Sequence, residues 1–174
     1  MRTAANLRKS VKVAMVSMAL SQAAYAEIVP TEQAQKNGVR TCLGVVDKLA
    51  NFIIGNHKHA SIASWNNKSA DTRLFSSQIS LRYSDGNAVA LMTVAPTKAG
   101  QCDAAYTSIW SVDQSCPVVR ETTLKDSKYA GELAGLVALE AGNVTQLLLP
   151  TPNGTGCTIV KTEVVYEEAE VHSQ

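Results

Sequence analysis

The chain has 174 residues, 45% of them apolar and 5% aromatic, with 16 basic and 15 acidic side chains for a formal charge of +1. That length suits one domain with a sizeable core, and the near-neutral balance lacks the basic field that nucleic acid or an anionic membrane surface would reward. Few aromatic residues beside many Ala, Val and Thr predict a core of small side chains.

The first 26 residues read as a secretory signal. Arg2, Arg8, Lys9 and Lys12 form a basic n-region, Val13 to Leu20 is a short apolar run, and Ala24-Tyr25-Ala26 supplies the small-x-small cleavage pattern. The run is shorter than the ~20 residues a bilayer span requires, and no later segment replaces it. Cleavage between Ala26 and Glu27 predicts a periplasmic or secreted protein. It removes four basic and no acidic residues, taking the formal charge from +1 to −3. Residues 27–168 are then expected to form a single disulfide-bonded domain, with 169–174 as a polar, flexible tail. A lipid anchor is not expected, because the first cysteine, Cys42, lies well beyond the signal.

Thr31 to Gly55 has the pattern of one long amphipathic helix. Val39, Cys42, Leu43, Val46, Leu49, Ala50 and Ile53 recur at helical spacing within an arc of roughly 120°. Thr31 after Pro30 suits an N-cap, Gly55-Asn56 suits a stop, and Gly38 within the pattern costs about 1 kcal/mol relative to Ala.

His59 to Trp65 has a loose strand alternation, and Asn66 to Asp71 has loop composition. Phe75, Ser77, Ile79, Leu81 and Tyr83 then alternate with polar neighbours as in a half-buried strand. Asp85-Gly86 predicts a two-residue type I′ turn that pairs Tyr83 with Ala88, Leu81 with Ala90 and Ile79 with Met92. From Cys102, a strand places Ala104, Tyr106, Trp110 and Val112 on one side. Cys116-Pro117 opens a short helix to Lys125, with a strand as the alternative that Val118, Val119, Thr122 and Thr123 would also suit. Asp126 to Gly135 carries no clear pattern. Leu136 to Glu140, Val144 to Leu149 and Cys157 to Tyr166 complete an antiparallel run, turning at Gly142-Asn143 and Pro152-Asn153-Gly154. No internal repeat recurs at a fixed period.

The predicted class is therefore α+β, one long N-terminal helix packed on an antiparallel sheet. This order of elements resembles the cystatin-like arrangement, in which a sheet wraps one long helix. The Q-x-V-x-G loop by which cystatins block proteases is absent, so the resemblance implies no inhibitory residues.

Cys42, Cys102, Cys116 and Cys157 all lie after the predicted cleavage site, and an even number in an exported chain predicts two disulfides. Three pairings exist. An extended Cys102 to Val112 strand, roughly 30 Å long at ~3.3 Å per residue, disfavours Cys102 with Cys116. Cys42 is expected to tie the helix to a later cysteine, its partner left open. No C-x-x-C and no Cys/His cluster at ligand spacing points to a redox or zinc site.

Chemistry has few places to sit. His57 and His59 are two apart, and on a strand their imidazoles point the same way, so they are the weak candidates for zinc or copper. No serine lies in G-x-S-x-G or S-x-x-K, no glycine run forms a phosphate cradle, and no cofactor is expected. The sequons at Asn67, Asn143 and Asn153 are incidental in a bacterial chain. Tyr83, Tyr106 and Trp110 are expected to pack against the helix. Where the helix leaves the sheet uncovered, they would form an amphipathic surface for a protein partner or apolar ligand. The expectation is a non-enzymatic protein-binding module of the bacterial envelope: an inhibitor, an immunity factor or an accessory subunit of a surface assembly. Its partner would be another envelope or secreted protein. The alternatives are a metal-binding protein or hydrolase centred on His57 and His59, and a carrier of a hydrophobic small molecule.

Overall fold

In the computed structural model, which describes residues 29–98 and 100–166, the N-terminal helical stretch is two helices. These are α1 (Val29–Lys36) and α2 (Leu43–Ile54). The expected single long helix from Thr31 to Gly55 is thus corrected, and with it the fold class, because the described residues form mainly an eight-stranded antiparallel sheet with three short helices. The break lies at Gly38, whose φ of 88° ends α1. Val39 N–H reaches back to the Ala34 carbonyl at 3.0 Å and Gly38 N–H to that of Gln35 at 3.2 Å. This is the bonding of a Schellman cap, with Val39 buried as its apolar contact. Apolar periodicity continues through the break because Val39 and Cys42 still face the core, which is why the stripe reads as unbroken.

The chain between the helices is held from outside. Asp71, on a 3₁₀ turn at Ala70–Thr72, accepts the backbone N–H groups of Arg40 at 2.7 Å and Thr41 at 2.6 Å through one carboxylate oxygen. Those two bonds hold its carboxyl below the ordinary aspartate value.

Eight strands follow: β1 (Lys58–Ser64), β2 (Phe75–Arg82), β3 (Asn87–Pro96) and β4 (Cys102–Val112), then, after helix α3 (Cys116–Thr122), β5 (Lys128–Leu133), β6 (Leu136–Ala141), β7 (Val144–Pro150) and β8 (Cys157–Val165). All pair antiparallel in one sheet of order β1-β2-β3-β4-β8-β7-β6-β5. The order is a palindrome. Each half is a helix followed by a four-stranded meander, and the fourth strands of the two halves pair at the centre. The cysteines obey the same plan. Cys42, at the start of α2, is bonded to Cys102, the first residue of β4, and Cys116, the first residue of α3, to Cys157, the first residue of β8. This topological repeat has no fixed period in sequence, since the two disulfides span 60 and 41 residues.

The hairpin between β2 and β3 is real, but its register is displaced by two residues. Leu81 pairs with Ala88 and Ile79 with Ala90, and the Tyr83 N–H to Gly86 carbonyl bond of 2.9 Å closes the turn. A slide of two preserves which side chains face the core, so large residues still oppose small ones. The positive-φ turn appears instead at Ala134 and Gly135, between β5 and β6.

All three helices lie on one face of the sheet. Beneath α1 and α2 the core holds Val46, Leu49, Ala50, Ile53, Phe75, Ile79, Met92 and Tyr106. Beneath α3 a second cluster holds Val119, Leu124, Leu139, Leu148 and Ile159. Burial of each large aliphatic side chain contributes about 1.5–3 kcal/mol. Trp110 packs against both clusters and joins them. Among the described residues, the other face carries no helix and exposes Ile62, Val89, Leu91, Ile109 and Val164. No helix among the described residues is long and apolar enough to cross a membrane. The predicted signal peptide, residues 1–26, and the tail, 169–174, lie outside the described residues.

Two predictions follow from these anchors. The loops closed by the disulfides do not overlap, so replacing either cysteine pair by serine should cost about 4 kcal/mol and the losses should add, as read by urea unfolding. Asp71→Asn should lower the melting temperature at neutral pH. Because the carboxyl of Asp71 is held low, its stabilising effect is present above the ordinary aspartate range and lost as pH falls below it, so the deficit of the variant should vanish in acid.

Candidate functional site

Successive side chains on a strand alternate faces, so Ala104, Tyr106, Ser108, Trp110 and Val112 of β4 all point to the helical face. Opposite them on β8 stand Val165, Glu163, Lys161, Ile159 and Cys157, with Tyr106 facing Glu163 and Ser108 facing Lys161. α2 covers the sheet from the first half and α3 from the second. Beside α2, from the β2–β3 turn across β4 to β8, the sheet is left open as a groove.

Tyr83, Tyr106 and Trp110, the expected interaction residues, line this groove together with Phe52, Asn87 and Lys161, around a volume of about 440 Å³. The groove continues past the Phe52 and Tyr106 rings into a second recess of about 320 Å³, lined by Val45, Leu49, Ala104 and Val165. Tyr106 is only 3% exposed and serves the core, while Phe52, at 64%, stands on the rim. Their rings meet edge to face, with centroids 5.6 Å apart.

The polar groups between these rings are ordered by one carboxylate. Glu163 accepts the Tyr106 hydroxyl at 2.7 Å on one oxygen and the Asn143 amide at 2.9 Å on the other. Burial, together with this bond to a carboxylate, pushes the Tyr106 hydroxyl well above the ordinary tyrosine range. With both Glu163 oxygens engaged, Lys161 makes no ion pair among the described residues. Its Nζ lies 5.5 Å from the centre of the Tyr106 ring and 5.8 Å from that of Phe52, a cation held on two aromatic faces. The site thus offers apolar surface, flat rings and a central positive charge.

The two histidines do not form a common site. The His57 ring packs against Tyr83 with centroids 4.3 Å apart. His59 lies on the helical side of β1, where Nε2 accepts the Val29 N–H at 3.5 Å and Nδ1 lies 3.2 Å from the His57 carbonyl. Backbone groups therefore engage both ring nitrogens of His59. No group of three or more His, Cys, Asp or Glu among the described residues is placed to hold a metal ion.

Phe52, Lys161 and Glu163 escape the sequence reading. Phe52 follows Val45 and Leu49 at i+7 and i+3, a second stripe beside the core stripe of α2. Lys161 and Glu163 share a face of β8 with Cys157 and Ile159. Two charges on a face that also carries a disulfide cysteine signal that the core cover stops there.

Comparison with protein-family models, with curated proteins and with solved structures finds no match to this chain.

Tyr106→Phe should cost about 1.5–3 kcal/mol, the range for a hydrogen bond to a charged group, and should loosen Glu163 without altering the fold. The hydroxyl is raised, so the stability it supplies is complete below the ordinary tyrosine range and declines as pH climbs above it. In an ultraviolet titration, Tyr106 should ionise above the ordinary tyrosine range, and that late step should be missing in the variant.

Proposed function

We propose that this protein is an exported, non-enzymatic binding module of the bacterial envelope that engages another envelope or secreted protein through the groove beside α2, over β4 and β8. The observation carrying this reading is the gathering of Phe52, Tyr83, Trp110 and Lys161 along one open groove. Aromatic residues are enriched where proteins meet, since each supplies broad apolar contact and Tyr and Trp add a polar tip. Placing these residues on a rigid sheet keeps the ordering cost of binding small.

Two disulfides support the exported setting, because such bonds persist in oxidising compartments. The leader pattern ending at Ala26 supports it from the sequence, and the palindromic fold supplies a stable platform. The groove lies at the centre of that platform, where neither half covers the sheet.

Site-specific photo-crosslinking in the native envelope tests the reading. With p-benzoylphenylalanine replacing Phe52, one discrete adduct is expected, absent when it replaces Val89 on the opposite face and lost when Tyr83→Ala is added. No adduct from Phe52, or one that Tyr83→Ala leaves unchanged, would overturn it.

A further inference from the structure

We infer that the groove receives an extended peptide segment of the partner that sets an acidic side chain over Lys161, between two apolar residues; this rests on the protein-binding reading above. The shape of the groove supports an extended chain. Its floor follows β4 from Cys102 to Val112, about 30 Å at ~3.3 Å per residue, and the two recesses join end to end past Phe52 and Tyr106. A segment of about eight residues matches that length, whereas a compact small molecule would fill only one recess.

Charge selects the middle of the segment. Four charged side chains line the groove: Lys48, Asp85, Lys161 and Glu163. Glu163 keeps its negative charge, with its two oxygens turned to Tyr106 and Asn143, and Asp85 sits at one end in the β2–β3 turn. Lys161 stands at the centre, where Ser108 faces it across the β4 and β8 pair. Its ammonium lies over both the Phe52 and Tyr106 rings, within a largely apolar lining. A carboxylate arriving there gains a charge-assisted contact in a partly desolvated setting. On either side the chain meets apolar surface: Val45, Leu49 and Val165 in one recess, Trp110 and Val112 in the other.

Selection of displayed random octapeptides on the disulfide-intact protein tests this, followed by titration of the selected peptides against the Trp110 fluorescence. The expected consensus has Asp or Glu flanked by Leu, Ile or Phe. Lys161→Met should weaken binding about tenfold, Lys161→Arg should retain it, and Lys58→Met, outside the groove, should leave it unchanged. Raising the salt should weaken binding to the native protein and have little effect on Lys161→Met. An uncharged consensus whose binding is still lost in Phe52→Ala would overturn the acidic segment while leaving the protein-binding reading intact. Peptides that bind Lys161→Met and Phe52→Ala as tightly as the native protein would overturn the groove as the site, as would a selection that enriches none.

Discussion

The antiparallel pairing of β4 with β8 is the constraint on which the rest of the structure depends. Each half of the chain builds a four-stranded meander whose other edge, β1 or β5, faces outward. Only the fourth strands join the halves into one sheet, through a ladder running from Ala104 with Val165 to Val112 with Cys157. Because pairing neighbours must present alternate side chains to the same face, this ladder fixes that α2 and α3 lie on one side. It also fixes that the groove beside α2 falls over the central strands. The groove is therefore a consequence of how two similar halves meet.

The disulfides fasten short helices to the two central strands. α2 spans 12 residues and α3 only 7, lengths at which an isolated helix is marginal in water. Each is fastened by its first turn to the start of a central strand. The apolar stripe of α2 can then settle on small side chains such as Ala88, Ala90 and Ala104. Trp110 completes the join by contacting both clusters, so its ring is a structural bridge as well as part of the groove lining.

The site shows how satisfied and unsatisfied polar groups divide labour on a sheet. Tyr106, Glu163 and Asn143 form a closed set of hydrogen bonds, and a set of that kind stiffens its surroundings. It also turns the oxygens of the Glu163 carboxylate to Tyr106 and Asn143. The lysine is left to the aromatic faces, where its charge is held in place and remains available to a ligand. Phe52 stays exposed because the α2 residues committed to the core, Val46, Leu49, Ala50 and Ile53, leave its side of the helix over the open strip.

What the residues alone determined was local. Period-2 alternation located β2, β4 and β8, cysteine parity announced two bridges, and Cys116-Pro117 marked the start of α3. Each of these signals is carried by neighbours a few positions apart. The residues also suggested Tyr83, Tyr106 and Trp110 as a surface, though not that they meet. Tertiary structure decided the rest. A stripe of apolar residues cannot distinguish one helix from two when Gly38 turns the chain without disturbing the stripe, and Asp71, which secures that turn, comes from 30 residues away. The register of the β2–β3 hairpin, the pairing of the cysteines and the meeting of Phe52 with Lys161 all depend on contacts between distant strands. Such contacts exist only once the two halves have closed against each other along β4 and β8.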